Sequence, residues 1–207
     1  MSDALALIAH DLKNALGGLE EELHQLVDDP SPVMAQRAHL HCSELRRQFI
    51  QFLTLYGART DGLTPLCEDE SPGEVLDALQ RAWRAKLSLD GQAVDVVIDD
   101  TSPPPAFWYF DHRLVKLALD AAIHNAVRFA RSRVTLSVKE EDGWLLWLVE
   151  DDGTGIGSTD PAQASATGLG TALSEAVASA HRNQARAGRI QLQSHAGQGT
   201  RFTMALP

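Results

Sequence analysis

Five consecutive residues near the start of the chain, His10-Asp11-Leu12-Lys13-Asn14, bring together an imidazole, a carboxylate and a carboxamide. Neutral imidazole is a good nucleophile near pH 7, and a neighbouring carboxylate can hold its second ring N–H and fix the tautomer. Such a group can accept a phosphoryl group. On a helix, Asn14 falls nearly above His10 on the same face. For so short a motif the plain alternative is a solvated polar face.

Four later segments carry a second chemistry. In Ile123-His124-Asn125-Ala126-Val127-Arg128-Phe129-Ala130, the Asn125 carbonyl oxygen suits a hard cation such as Mg²⁺. Arg128 lies one turn on and could reach a phosphate. In Val149-Glu150-Asp151-Asp152-Gly153-Thr154-Gly155-Ile156, a carboxylate at a strand end followed by glycines can accept a hydrogen bond from a nucleobase amine. Thr167-Gly168-Leu169-Gly170 opens a helix, where bare backbone N–H groups bind phosphate. The last segment is Ser194-His195-Ala196-Gly197-Gln198-Gly199-Thr200-Arg201-Phe202. Singly, each has a plain explanation, Asp-Asp-Gly above all as a turn. His112, His124, His181 and His195 read as packing or surface residues.

The elements that must position these groups follow from periodicity. Residues 3–28 read as a helix with Leu5, Ile8, Leu12, Leu16, Leu19, Leu23 and Leu26 spaced by three or four. His10 points away from that stripe. Gly17-Gly18 interrupts it at about 1 kcal/mol per glycine relative to alanine, for close packing or for a bend. Asp29-Pro30-Ser31-Pro32 breaks the chain. A second helix then runs to about Tyr56 on the stripe Cys42, Leu45, Phe49, Phe52, Tyr56. Two long helices on a short loop make an antiparallel hairpin, and two copies make a four-helix bundle, so a homodimer is expected. Residues 61–72 read as a linker. Beyond it, helices are expected over 72–86, 111–130 and 170–181. Strands are expected over 93–98, 134–138, 144–149, 189–194 and 201–205. The nearly all-apolar strand 144–149 should be central. The expected class is α+β, with residues 1–60 and 73–207 as two domains.

Composition narrows the function. The 207 residues carry a formal net charge of −10, with 28 acidic against 18 basic residues. An acidic chain without a basic cluster argues against nucleic acid and against an anionic membrane surface. No apolar run is long enough to span a bilayer, and no signal peptide is read at the N-terminus. Cys42 and Cys67 form no CxxC pair and fit reduced thiols in the cytoplasm. None of the eight histidines pairs with convincing metal spacing.

The order and spacing of all five segments resemble the sensor histidine kinases over nearly the whole chain. His10 to Leu16 is similar to their phospho-acceptor box. The segments at Asn125, Asp151-x-Gly153-x-Gly155, Gly168-Leu169-Gly170 and Gly197-x-Gly199-Thr200 are similar to their nucleotide-site boxes. The resemblance implies a dimerisation and histidine-phosphotransfer hairpin followed by an α/β sandwich of the histidine kinase ATPase type. It implies ATP and Mg²⁺ as cofactors, with His10 accepting the γ-phosphoryl group and Asp11 orienting and deprotonating the imidazole. Asn14 would position water against a phosphorylated partner aspartate. It also implies Mg²⁺ at Asn125, a phosphate at Arg128 and the adenine amine at Asp151. Gly153 and Gly155 would shape the pocket, Gly168, Leu169 and Gly170 would line the phosphates, and Thr200 would complete the last box. The implied partners are a response-regulator receiver domain and an upstream sensor protein or small ligand. The chain departs from the family at Ala15, where proline is usual, at Ala121, where a second asparagine is usual, and at Ala166, where the glycine box usually begins. Its 157–167 segment is short and lacks phenylalanine. These departures leave a second reading, a histidine phosphotransferase relay with a degenerate nucleotide domain. A water-using ATPase of the gyrase and chaperone type would need a carboxylate where Ala121 stands. An anti-sigma type serine kinase normally lacks the hairpin, and a non-catalytic scaffold is the remaining alternative.

Overall fold

The computed structural model describes residues 2–155, 168–195 and 197–207, with the side chains of residues 2–5, 7 and 195 left aside. The expected short segment with Ala166 and Thr167, Ile156, and the core role of the Leu5 side chain lie outside the described residues. The chain divides into two compact units, residues 1–62 and 63–207.

The first unit is a helical hairpin of α1 (Ser2–Asp28) and α2 (Pro32–Thr60). Pro32 opens α2 from an extended Ser31, a position where proline loses no helical hydrogen bond. The seam between the helices is Leu12, Leu19, Ala38 and Leu45, with Ile8, Ala15 and Phe52 packed against it. Across it, the Glu22 carboxylate takes both Arg37 and His41, each at 3.2 Å. α1 runs unbroken through Gly17 and Gly18. A Cβ on Gly18 would meet His41 Cε1 at an ordinary 3.7 Å, and one on Gly17 would meet nothing. The expected α2 stripe splits. Leu45 and Phe52 turn inward with Ala38 and Leu55, while Cys42, Phe49 and Tyr56 are exposed. Leu16 and Leu23 of α1 are exposed as well. A single antiparallel neighbour covers only part of each apolar surface, so every helix keeps a second, open seam.

The second unit begins before the expected 73. Residues 68–70, within the expected linker, form β1 (Glu68–Glu70), paired antiparallel with β3 (Trp108–Phe110). The main sheet contains β2 (Asp95–Ile98), β4 (Arg133–Glu141), β5 (Trp144–Asp151), β8 (Arg189–His195) and β9 (Gly199–Leu206) in the order β2-β4-β5-β9-β8. Only β2 and β4 run parallel. β5 is the central strand, as its apolar run requires. A short ribbon, β6 (Arg182–Asn183) and β7 (Arg186–Ala187), precedes β8. Neither this ribbon nor β1 and β3 is expected from periodicity, because two or three residues give no period to read.

Val134, Leu136 and Val138 share one face with Leu145, Trp147, Val149, Phe202, Met204 and Leu206. That face packs on α3 (Pro72–Asp90), α4 (His112–Phe129) and α5 (Leu169–Ala180) through Leu79, Trp83, Val115, Ile123, Leu173 and Val177. The layers make the expected α+β sandwich. α3 is capped by Ser71, which accepts from Glu74 N–H at 3.4 Å, and closed by Gly91 at φ 65°.

The N-terminus of α4 is a buried knot. The Asp111 carboxylate accepts from Arg113 N–H at 3.0 Å, Leu114 N–H at 3.2 Å and Leu66 N–H at 2.8 Å. Burial pushes this carboxyl up, but the Arg113 guanidinium and these N–H groups outweigh it and hold it below the ordinary carboxylate range. The Asp111 N–H in turn donates to His181 Nε2 at 3.0 Å, and His181 Nδ1 lies 2.8 Å from Val177 O. Those two bonds fix His181 as the neutral Nδ1–H tautomer. It is 3% exposed, and burial holds it below the ordinary histidine range, against the pull of Val177 O and Asp111.

The unfolded chain therefore binds a proton at position 181 before the folded one does. This unit should be fully stable above about pH 6.5 and lose stability below it, by at most about 1.4 kcal/mol per pH unit from this group. All four tryptophans, Trp83, Trp108, Trp144 and Trp147, lie in this unit, so their emission follows its denaturation alone. His181→Phe should flatten the slope below about pH 6.5 while lowering stability overall. Equal slopes in both proteins would assign the titration to another group.

Candidate functional site

The site in the second unit is built where β5 ends. Antiparallel pairing of β5 with β9 sets Glu150 opposite Arg201, and so brings Thr200 beside Asp151. The Asp151 carboxylate is half-buried. It accepts from Gly153 N–H at 2.9 Å and from the N–H and hydroxyl of Thr200. Burial pushes this carboxyl above the ordinary range despite those bonds, and the neighbouring Asp152 adds to the shift. A carboxylate so placed accepts hydrogen bonds at low desolvation cost and is selective for a donor.

Two glycines permit this arrangement. A Cβ on Gly153 would overlap the Phe129 carbonyl at the end of α4, and one on Gly199 would overlap the Asp151 carbonyl. Gly199 also sits at φ 86°, which L side chains rarely adopt. Gly155 is buried, at φ 79°. Asp152 does different work from its neighbour. Burial raises its carboxyl, but the Ser132 hydroxyl at 2.7 Å and the N–H groups of Arg131, Ser132 and Arg133 outweigh this and hold it far below the usual range. Asp152 thereby clamps the turn between α4 and β4. Sequence reading left Asp152 and Gly199 without separate roles. The signal for both was the strand pairing that brings residues far apart in the chain to one corner.

Asn125 and Arg128 lie on the exposed side of α4. The Arg128 guanidinium stands 5.5 Å over the Phe129 ring. Gly168 caps α5 at φ 69°. A Cβ on Gly170 would lie 3.4 Å from the Asn125 amide nitrogen and 3.5 Å from Ala121 Cβ. The start of α5 and the Asn125 amide are thus immediate neighbours, as nucleotide phosphates and a cation would need. Leu169, between the two glycines, is 1% exposed, so it offers the core its side chain and the site its backbone alone. Ala121 is also 1% exposed, and a larger side chain there would press on Gly170. Among the described residues, no group of three or more His, Cys, Asp or Glu side chains could hold a metal ion by itself.

The first unit holds the other expected residues. His10, Asp11 and Asn14 are exposed on α1, opposite the Leu12 seam. The Asn14 amide lies 3.2 Å from His10 Nδ1, and an Asp11 carboxylate oxygen lies 3.7 Å from the same atom. The expected helical juxtaposition is present.

Gly153→Ala should destabilise the second unit by about 1–3 kcal/mol, because the added methyl meets fixed backbone. Gly168→Ala should cost only about 1 kcal/mol, since the space is open and only the positive φ opposes it. Urea unfolding followed by tryptophan emission separates the two; equal losses would mean that the Phe129 contact yields.

Residues 110–207 match the family described as histidine kinase-, DNA gyrase B-, and HSP90-like ATPase. Comparison with curated protein sequences finds no match. Among solved structures, the chain is similar to the Acinetobacter baumannii histidine kinase AdeS, with TM-score 0.72, 22% identity, and coverage of 95% of this chain and 96% of that one. It is similar to histidine kinase ThkA in complex with response regulator protein TrrA, with TM-score 0.68, 13% identity, and coverage of 98% of this chain and 60% of that one. It is also similar to full-length ShkA in complex with AMPPNP, with TM-score 0.64, 16% identity, and coverage of 100% of this chain and 45% of that one. No helix among the described residues is long and apolar enough to cross a membrane. Residues 110–207 thus resemble the histidine kinase-, DNA gyrase B- and HSP90-like ATPases, in a chain with the fold of the histidine kinases.

Proposed function

We propose that this chain is a two-component histidine protein kinase, acting in the cytoplasm, that phosphorylates His10 from Mg-ATP. It then passes the phosphoryl group to an aspartate of a response-regulator receiver domain. The observation that carries the reading is an exposed imidazole with an acid and an amide at one ring nitrogen, in a chain whose other unit has an ATPase fold. Asp151 accepts from the adenine amine, Arg128 takes a phosphate, and the backbone from Gly168 to Gly170 lines the phosphates. Asn125 fits Mg²⁺: its exposed amide carries an oxygen donor and lies beside the start of α5, and Mg²⁺ draws its other ligands from phosphates and water. Bound there, the ion would neutralise phosphate charge. The protein's own task is positioning, as phosphoryl transfer requires. Asp11 orients the imidazole. Asn14 also positions water for dephosphorylation of the partner aspartate.

The open seam of Leu16, Leu23, Phe49, Leu53 and Tyr56 supports a homodimer through a four-helix bundle. An upstream sensor protein would then act on the bundle. A histidine phosphotransferase relay is the second reading, and Ala121 favours it, because it stands where the family usually has its second asparagine.

Incubation with γ-labelled ATP and Mg²⁺ should give label stable to base and labile to acid in the wild type and none in His10→Gln, with nucleotide binding retained. Label absent from wild type, but acquired from a phosphorylated receiver, would select the relay. Asp151→Ala should weaken ATP binding at least about tenfold, the loss of one charge-assisted hydrogen bond; an unchanged affinity would remove Asp151 from the adenine site. Leu53→Glu should turn a dimer into a monomer in sedimentation, and a persistent dimer would place the interface elsewhere.

A further inference from the structure

His10 has two neighbours at one ring nitrogen, and they ask opposite things of it. The Asn14 amide nitrogen, 3.2 Å from Nδ1, is within hydrogen-bond reach. The Asp11 oxygen, at 3.7 Å from the same Nδ1, is not. An amide nitrogen only donates, so it makes Nδ1 the acceptor and leaves the ring's single proton on Nε2. A carboxylate only accepts, so it draws that proton to Nδ1.

The tautomer decides whether the ring can react. Nδ1 faces Asn14 and Asp11, and the ring is exposed (62%), so Nε2 is the nitrogen available for attack. With the proton on Nδ1, the Nε2 lone pair can attack the γ-phosphorus. The bond from that phosphorus to the β,γ-bridging oxygen then breaks, its electron pair leaves on ADP, and the Nδ1 proton passes to Asp11. With the proton on Nε2, that nitrogen has no lone pair to offer.

We infer that Asn14 is a positioning residue that holds His10 in its non-nucleophilic tautomer, and that the site is armed when the partner of Nδ1 changes from Asn14 to Asp11. The inference rests on His10 being the phospho-acceptor and adds to it a built-in rest state. The contact supplies the means for exchange: both partners sit on the same helix face, and a small rotation of the ring or the Asp11 side chain replaces one by the other.

The test uses the full chain with ¹⁵N-labelled histidine rings in alkaline buffer, where histidine rings are neutral. The His10 signals are assigned by their loss in His10→Gln. Wild type should show a pyridine-type Nδ1 and a pyrrole-type Nε2. Asn14→Asp keeps the size of the side chain but only accepts, so it should interchange the two signals. It should also raise the initial rate of labelling from γ-labelled ATP about fivefold, within the range one exposed hydrogen bond supports. Asn14→Leu should fall between them. A wild-type ring already protonated on Nδ1, or ring signals unmoved in Asn14→Asp, would overturn the inference. If the signals interchange but no protein takes up label, tautomer control by Asn14 stands and the kinase reading falls.

Discussion

The backbone around Asp151 is packed so closely that no side chain fits on either flank. The Gly199 Cα faces the Asp151 carbonyl, and the Gly153 Cα faces the carbonyl that ends α4. This double contact fixes where β5 stops, where β9 starts and how α4 meets the sheet. The Asp151 carboxylate is half-buried as a by-product of that packing. Its raised affinity for a proton records the shortage of solvent more than any charge beside it. The environment of this acceptor is therefore set by main-chain geometry.

Much of this was legible in the sequence where a period or a spacing spoke for itself. The i, i+4 relation of His10 and Asn14 needs nothing but a helix, and the apolar run of residues 144–149 needs nothing but a central strand. Legibility failed where long-range pairing decides. Asp152 and Asp151 are adjacent and chemically alike, yet one clamps a turn and the other faces the site. β1, β3 and the β6–β7 ribbon are too short to carry a pattern. The α2 stripe was visible as apolar, but a sequence cannot say which neighbour covers which part of it. The glycines raise a related point. Packing alone requires Gly153 and Gly199, so their presence marks the fold, and the proposed function rests on Asn125, Arg128, Asp151 and the hairpin histidine instead.

The hairpin separates its duties by face. Leu12 and Leu19 hold the helices together, Leu16 and Leu23 stay open, and His10, Asp11 and Asn14 are exposed away from the Leu12 seam. Glu22, shared by Arg37 and His41, ties α1 to α2 some three turns from His10. Among the described residues, the polar side chains of His10, Asp11 and Asn14 stand apart from the packed seam.

The knot at Asp111 joins three parts of the second unit that are far apart in the chain. The Leu66 N–H ends on the Asp111 carboxylate. That same carboxylate starts α4, and its own amide ends on His181, where α5 stops. One carboxylate thus ties the chain at Leu66 to the start of α4 and, through its own residue's amide, to the end of α5, so the two helices that carry Asn125 and Gly170 share a single anchor within the second unit.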